Sequence, residues 1–259
     1  MGTPIVTLTT DWGDGDFFAG MVKGVLYSHI GDVRVVDISH RLEAFNIMTA
    51  TFVVRQACLG FPPGTVHIID VGTHQPFLCV KARGQYYLCC DNGLPGMAFG
   101  DEIEDVSLLS VQEGGVYNFA AYNPFAPAAV KLLRGATMRD LGDPPAQLMQ
   151  RTMNTYIQQG DYYRIYVHYI DSYGNAYLGM TYRDFETLRA GRDFVLTVRD
   201  LEVTEMMASY YQQHASADPR RRLRLTVSAV GLLELAVKES SLARLVGLRV
   251  NDSVLLRFK

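Results

Sequence analysis

The sequence lacks several features that would indicate a particular class of protein. Its 24 Lys and Arg face 27 Asp and Glu, so the net charge of −3 provides no basic surface of the kind that nucleic-acid binding requires. No apolar run reaches the ~18 residues of a membrane-spanning helix, and the N-terminus lacks the basic-then-apolar pattern of a secretion signal. We therefore expect a cytoplasmic protein that binds neither nucleic acid nor a membrane.

Cysteine is also scarce, with four residues among 259. Cys58, Cys79, Cys89 and Cys90 lie in apolar segments, and their spacings miss the C-x-x-C pattern typical of metal or redox sites. We expect buried, reduced thiols, as is usual in cytoplasmic proteins. Apolar residues, in contrast, make up 48% of the chain and charged residues 20%, which is typical of a globular protein with a substantial core.

Strand and helix patterns alternate over residues 1–146, which predicts an α/β domain with a mostly parallel sheet. Segments rich in Val, Ile and aromatic residues predict strands, and apolar spacings of three and four predict helices. The predicted strands are Ile5–Thr9, Val33–Ile38, Thr65–Asp70, Phe77–Ala82 and Tyr86–Cys90, and the predicted helices are Phe17–His29, Asn46–Cys58 and Phe125–Arg134.

A polar stretch over residues 147–160 predicts a linker, and residues 161–259 then read as strand after strand. The spacing of these strands and the turn residues between them predict an all-β barrel domain. The basic run Pro219–Arg224 is typical of a solvated hairpin edge. The predicted strands are Asp161–Ile170, Ala176–Thr181, Asp193–Val198, Leu201–Glu205, Leu223–Val230, Leu233–Val237 and Ser253–Phe258.

Asp11 ends the first predicted strand and precedes a glycine-rich turn, and small ligands bind at that edge of open α/β sheets. A carboxylate there accepts hydrogen bonds from a ribose diol and repels a phosphate, which favours a nucleoside. One alternative is a helix cap, a role that Asp14 and Asp16 fill equally well. Another is a Mg²⁺ or Ca²⁺ site made by these three carboxylates. No second acidic cluster converges on them, so we expect neither a metal nor a cofactor.

Asp70 ends another apolar strand, and a glycine turn leads from it to His74. In a parallel sheet Asp70 can face the same crevice as Asp11, which suggests a site for a cationic or hydroxyl-rich ligand. His67 is expected to pack in or beside the strand. His74 is either a surface loop histidine or an active-site residue, and the pattern leaves both open.

The segment Ile170-Asp-Ser-Tyr-Gly-Asn175 follows an apolar strand of the second domain. Asp, Gly and Asn favour an Asx-type turn between strands, which is the purely structural interpretation. In the functional interpretation Asp171 holds an ammonium group and Asn175 reads a base edge, because an amide both donates and accepts hydrogen bonds.

These segments, taken in order, resemble the S-adenosylmethionine (SAM) hydroxide adenosyltransferase family, which also contains the SAM-dependent fluorinase and chlorinase. No single segment is decisive, but the ordered set is specific and extends over nearly the whole chain. The matching segments are Leu8–Gly13, Met21–Gly24, Val36–His40, Phe61–His67, Asp91–Gly93, Phe125–Ala129, Ile170–Asn175, Gly231–Val237 and Leu245–Asp252.

The resemblance implies displacement by water or hydroxide at C5′ of SAM, forming adenosine and L-methionine. It also implies a homotrimer, with the ligand between the N-domain of one subunit and the C-domain of its neighbour. By the same resemblance Asp11 would hold the ribose hydroxyls, Asp171 the methionine ammonium and Asn175 the adenine edge. Tyr173 would pack against the base, and Phe45 falls where halogenating members carry a tryptophan beside the ribose.

The chain departs from the family pattern around Asp70. Members of the family that hydrolyse SAM usually carry the motif Asp-Pro-Gly-Val-Gly-Thr-x-Arg after the third strand. At the same place this chain has Asp70-Val-Gly-Thr-His-Gln75, which is two residues shorter and has glutamine instead of arginine. Ala120 stands where a histidine is expected. Of the Asp-Arg-His set that orients water, only Asp70 is retained, and His74 is a candidate to replace the imidazole.

Three interpretations follow from these departures. The chain is a SAM hydrolase, a SAM- or adenosine-binding protein that has lost catalysis, or an enzyme acting on another 5′-modified adenosine. Halogenation is disfavoured, because halogenases carry Tyr and Ser in the halide pocket where this chain has Asp70 and Ala121. A carboxylate beside a halide would repel it.

Overall fold

A computed structural model describes residues 2–111, 119–208 and 222–259 of the chain. The chain divides into two units, Met1–Thr152 and Met153–Lys259. No helix in the described ranges is long and apolar enough to cross a membrane. All four cysteines are buried free thiols, as expected.

The first unit is built on a sheet with strand order β2-β1-β3-β5-β4-β6, in which only β4 of the described strands runs antiparallel to its neighbours. Five helices accompany it in the described residues. This confirms the α/β class with a mostly parallel sheet. The strands are β1 (Ile5–Thr10), β2 (Arg34–Ser39), β3 (Val66–Asp70), β4 (Phe77–Ala82), β5 (Gln85–Cys90) and β6 (Ile103–Leu108), and the helices are α1 (Phe18–His29), α2 (Ile47–Ala57), α3 (Leu94–Phe99), α4 (Ala126–Leu133) and α5 (Met138–Leu141).

The inner strands β1, β3, β4 and β5 are buried on both faces, which explains why they read as nearly continuous runs of apolar residues. Successive side chains of a strand point to opposite faces. Ile68 therefore joins a cluster that includes residues of α1 and α4, and the next residue, Ile69, joins a cluster with residues of α2 and α3. Burial on both sides holds the carboxyl ends of β1 and β3 in place.

His67 lies in the middle of β3 and is fully buried, as expected. Its Nδ1 lies 2.7 Å from Thr7 Oγ1 and its Nε2 lies 2.9 Å from Gln85 Oε1, so a polar row crosses β1, β3 and β5. Tyr87 stacks on the imidazole at a centroid distance of 4.6 Å and donates to Gln85. Burial lowers the pKa of His67 to about 4, so the ring is neutral at physiological pH.

The second unit is an antiparallel sheet with strand order β11-β10-β14-β8-β9-β13-β12, and β7 pairs with β8. A bridge between Met206, just after β11, and Leu225 of β12 brings the ends of the sheet together, so the barrel is nearly closed. The strands are β7 (Tyr156–Gln159), β8 (Tyr162–Ile170), β9 (Ala176–Thr181), β10 (Phe194–Val198), β11 (Leu201–Val203), β12 (Leu223–Val227), β13 (Leu232–Val237) and β14 (Ser253–Phe258), with helices α6 (Tyr182–Arg189) and α7 (Leu242–Val246).

The expectation for residues 147–160 needs a correction, because this stretch includes β7 as well as irregular chain. Tyr156 pairs with Ile165 of β8, and its ring packs against the barrel core. The polar residues around it hid the strand, because an edge strand needs only one buried face. The first three residues of the run Pro219–Arg224 lie outside the described residues, and the last two belong to β12.

Candidate functional site

Asp70 is the last residue of β3 and is only 1% exposed. Thr73 Oγ1 donates to one carboxylate oxygen, Oδ1, over 2.7 Å, and the Ala121 amide donates to the other, Oδ2, over 3.1 Å. The Trp12 side chain also interacts with this carboxylate. Burial raises the pKa of Asp70, and the charge of Asp11 raises it further, against the lowering effect of these interactions. A buried carboxyl with a raised pKa is suited to accept a proton.

Asp11 follows Thr10, the last residue of β1, and Thr10 pairs with Asp70 across the sheet. The expected proximity of the two carboxylates is therefore observed at the carboxyl edge of neighbouring parallel strands. Asp11 is partly exposed, in contrast to Asp70. The two carboxylates consequently meet different environments at one edge of the sheet.

Phe45 lies directly beside Asp11. Its amide donates to Asp11 Oδ2 over 2.8 Å, and its backbone is left-handed with φ of 63°. Its side chain is 80% exposed. A carboxylate has about four lone-pair positions, so Asp11 can accept the Phe45 amide and further hydroxyl donors as well. An exposed aromatic ring beside such an acceptor matches the chemistry of a ribose.

His40 makes three contacts with residues next to Asp11. Its Nδ1 lies 2.7 Å from Thr10 Oγ1, its carbonyl accepts from the Gly13 amide over 2.6 Å, and its ring stacks on Trp12 at 5.8 Å. The residues on both sides of Asp11 are thus held by one residue from the end of β2. The sequence placed His40 only in a matching segment, and the polar residue that ends an apolar strand was the available signal.

The loop after Asp70 is held by Asn92, whose Nδ2 donates to the carbonyls of Val71 and Gly72 over 3.1 and 3.4 Å. The His74 amide donates to Cys90 Sγ over 3.3 Å, and the His74 side chain is exposed. Burial raises the pKa of the Cys90 thiol to about 12, and the charges of Asp70 and Asp91 add to this, so the thiol stays neutral. This cysteine is therefore unsuited to act as a nucleophile.

Ala121, whose amide donates to Asp70, follows Ala120 in the chain, and both alanines are fully buried. Ala121 begins a turn over Ala121–Phe125, and the Phe119 ring meets Trp12 edge-on at 4.8 Å. Gln75, the other departure from the family pattern, is exposed. In the described ranges no three His, Cys, Asp or Glu side chains are grouped as metal ligands.

In the second unit, Asp171 closes its own loop. Its Oδ1 accepts from the amides of Tyr173 and Asn175, both over 2.9 Å, and its Oδ2 accepts from Asn175 Nδ2 over 3.1 Å. This is the Asx-type turn that the sequence offered as the structural interpretation. The turn leaves Tyr173 78% exposed, so the loop presents an aromatic ring beside a carboxylate.

Comparisons with known proteins agree on one family. The profile described as SAM hydroxide adenosyltransferase N-terminal domain matches residues 6–142, and that of the C-terminal domain matches residues 165–255. Proteins from Salinispora arenicola and Salinispora tropica named (R)-S-adenosyl-L-methionine hydrolase are each 26% identical, over 97% and 96% of both chains. A protein of the same name from Methanocaldococcus jannaschii is 37% identical over 35% of this chain and 37% of its own length.

Two solved structures share the fold. A protein from Thermotoga maritima has a TM-score of 0.84 at 22% identity and covers 98% of this chain and 99% of its own. A protein from Thermus thermophilus has a TM-score of 0.74 at 22% identity, covering 99% of this chain and 100% of its own. Since the matched profiles span most of both units, the chain belongs to the SAM hydroxide adenosyltransferase family.

Proposed function

We propose that this protein is a SAM hydrolase that forms adenosine and L-methionine by attack of water or hydroxide at C5′ of the ribose. Family membership and the names of the three hydrolase relatives support it. The observation that carries the proposal is the pair of neighbouring carboxylates, Asp11 partly exposed and Asp70 buried. One suits hydroxyl binding and the other proton transfer.

Substrate binding is assigned to groups that are exposed, Phe45 and Tyr173, or partly exposed, Asp11, Asp171 and Asn175. Asp11 accepts hydrogen bonds from the ribose diol, and the Phe45 ring packs against the sugar. In the second unit Asp171 attracts the methionine ammonium, Asn175 pairs with the adenine edge and Tyr173 packs on the base. The Asx turn supports the last three roles, because it holds the carboxylate, the amide and the ring in one short loop.

The chemical step is a displacement at C5′. The water oxygen forms a bond to C5′, the C5′–S bond breaks, and its electron pair neutralises the sulfonium as methionine leaves. The water proton passes to Asp70, from which it returns to solvent. Loss of charge in the transition state is favoured by apolar surroundings, and Ala121, Trp12 and Phe119 provide apolar groups at the Asp70 edge.

Two observations favour a second candidate, a SAM- or adenosine-binding protein without turnover. Gln75 is exposed and Ala120 offers only a methyl group, so the arginine and histidine of the water-orienting set have no counterpart at these positions. His74 replaces the imidazole in the catalytic version of the proposal. A third candidate is an enzyme on another 5′-modified adenosine, since the shorter loop after Asp70 leaves room for a different 5′ group.

The test is incubation with SAM in ¹⁸O-labelled water, followed by mass spectrometry of the products. We expect methionine and adenosine with one ¹⁸O at the 5′ hydroxyl. The Asp70→Asn variant should lose at least ~100-fold in kcat, because general-base catalysis is worth about that much. Calorimetric binding of SAM with no adenosine formed would support the binding protein instead, and full activity in His74→Ala would remove His74 from the mechanism.

We further propose that the protein acts in the cytoplasm as a homotrimer. The resemblance to the family supports the trimer, and the four buried free thiols suit a reducing compartment. In that assembly the Asp11 and Asp70 edge of one subunit would share its ligand with the Asp171 loop of a neighbouring subunit.

A further inference from the structure

The Thr73 side chain holds one oxygen of the Asp70 carboxylate. It lies three residues after Asp70, and its hydroxyl donates to Asp70 Oδ1 over 2.7 Å. The Ala121 amide holds the other oxygen. One donor on each oxygen restrains rotation of the carboxylate plane, so both donors determine where its remaining lone pairs point.

The two donors differ in kind. The Ala121 amide belongs to the backbone and is retained in any substitution at that position except proline. The Thr73 hydroxyl belongs to an exposed residue in a loop that Asn92 holds at Val71 and Gly72. Its removal is therefore expected to change the carboxylate without emptying any part of the core.

We propose that Thr73 is a positioning residue for Asp70, which aims the carboxylate at the attacking water where arginine and histidine are absent. This inference rests on the proposed hydrolase function. It assigns the orientation of the carboxylate to a hydroxyl that the chain retains within the shortened loop, and it leaves His74 as the candidate replacement for the imidazole.

The groups that face Asp70 determine how its pKa changes when the Thr73 hydroxyl is removed. Asp11 faces it from the turn after β1, the Trp12 indole faces it from the same turn, and the neutral Cys90 thiol faces it from β5. The Thr73 bond stabilises the ionised carboxylate and so lowers the pKa of Asp70. Loss of the hydroxyl leaves burial and Asp11 less opposed, so the pKa of Asp70 rises.

The experiment compares Thr73→Val, which removes the hydroxyl at similar volume, with Thr73→Ser, which keeps it. Rates of adenosine formation from SAM are measured from pH 4 to 9 by chromatography. In Thr73→Val we expect kcat to fall about tenfold with KM within about twofold, since a bond to a charged group is worth about that factor. The acidic limb of the kcat/KM profile should also move up by about one pH unit.

Thr3→Val is the matched control, because Thr3 makes the same kind of bond, to Asp32 Oδ2 over 3.0 Å, at the amino edge of the same sheet. The Thr3→Val variant should match the wild-type in its rate of adenosine formation and in its pH profile. The Thr73→Ser variant should also keep the wild-type rate and pH profile, because it retains the hydroxyl. An active wild-type with an unchanged Thr73→Val, or a Thr73→Ser as slow as Thr73→Val, overturns the positioning role alone. A wild-type that forms no adenosine overturns the hydrolase proposal itself.

Discussion

Asp11 and Asp70 show how one edge of a sheet gives two carboxylates different properties. Asp11 is partly exposed and bonded to the Phe45 amide, whereas Asp70 is buried and bonded to Thr73 and Ala121. The two negative charges repel each other, and burial together with this repulsion raises the pKa of Asp70. A buried carboxyl whose pKa is raised by burial and by a neighbouring carboxylate is typical of acid–base sites.

For these residues we predict that Asp11→Asn weakens substrate binding and leaves the fold intact. The Asn side-chain oxygen still accepts from the Phe45 amide, but the loss of charge weakens its bonds to the ribose hydroxyls. KM for SAM should rise at least ~10-fold, because hydrogen bonds to charged groups are worth about 1.5–3 kcal/mol. Asp14→Asn is the control, since Asp14 pairs with Arg41 at the surface, and an equal rise in KM there would contradict the assignment.

The residues that sequence reasoning missed are those that act on other side chains. Thr73 and Asn92 carry no pattern of their own, and His40 carried only the signal of a polar residue that ends an apolar strand, because each acts by bonding to an atom of another residue's turn or strand. Asp11 and Asp70 could be singled out beforehand, because a carboxylate that ends an apolar strand is itself a local signal. Partners of such residues become visible only once the strand order is known.

Among the elements, the neighbouring strands β1, β3 and β5 lie in the buried part of the first unit. His67 of β3 links Thr7 of β1 to Gln85 of β5 within this buried part. Its ring is bonded on both sides and stacked on Tyr87. The folded protein must keep this imidazole neutral, whereas the unfolded chain binds a proton below the ordinary histidine pKa.

We therefore predict that the first unit loses stability in acid through His67. The stability is present above pH 6.5 and is lost as pH falls toward the folded pKa of about 4. The loss is about 3 kcal/mol, since each unit of pKa difference corresponds to about 1.4 kcal/mol. The free energy of unfolding is measured by urea denaturation at several pH values from 7 to 4. It should fall less steeply with decreasing pH in His67→Gln than in the wild-type, whereas the exposed His29→Gln should behave as the wild-type. An equal pH dependence in His67→Gln and the wild-type would refute the prediction.

The turn between β8 and β9 depends on Gly174, which has φ of 85° and donates to the Asp171 carbonyl. A Cβ at this position would lie 2.0 Å from Ser241 Oγ, the oxygen that caps α7 by accepting from the Arg244 amide. The Asp171 loop and the start of α7 are therefore packed too closely for any side chain at Gly174.

Gly174→Ala is expected to destabilise the barrel by about 1–3 kcal/mol more than Gly231→Ala, because it adds overpacking to backbone strain. Gly231 has φ of 77°, and a Cβ there would meet nothing within 4 Å. Its substitution therefore isolates the cost of the left-handed backbone, about 1–2 kcal/mol. Denaturant titration of both variants gives the comparison. Equal losses would show that Ser241 moves aside freely.

Elements with strong patterns were predicted well, and those without were missed. The helix over Phe17–His29 and the strand over Phe77–Ala82 agree with α1 and β4 to within a residue. The edge strand β6 contains two adjacent acidic residues, Glu104 and Asp105, that interrupt its apolar pattern, and the short helices α3, α6 and α7 lie within stretches too brief for a period to emerge. Tertiary packing stabilises such elements.

For the molecule as an assembly, the proposed trimer has a direct test. If Asp11 of one subunit and Asp171 of a neighbour serve one ligand, chains carrying Asp11→Asn and chains carrying Asp171→Asn should complement each other. A head-to-tail ring of mixed chains would regain about a quarter of wild-type activity. Each variant alone is the control, and light scattering should give three times the mass of one chain. A mixture no more active than its parents would contradict the shared site.

Local patterns in the chain were enough to establish the fold class, the two halves, the resemblance to the family and the two strand-end carboxylates. These features depend on periodicity and on motifs that survive at low identity. The burial of Asp70, its bond to the Ala121 amide and the bond between His40 and Thr10 emerged only from the folded chain. Burial and hydrogen-bond partners depend on which distant segments meet, and no local pattern records that.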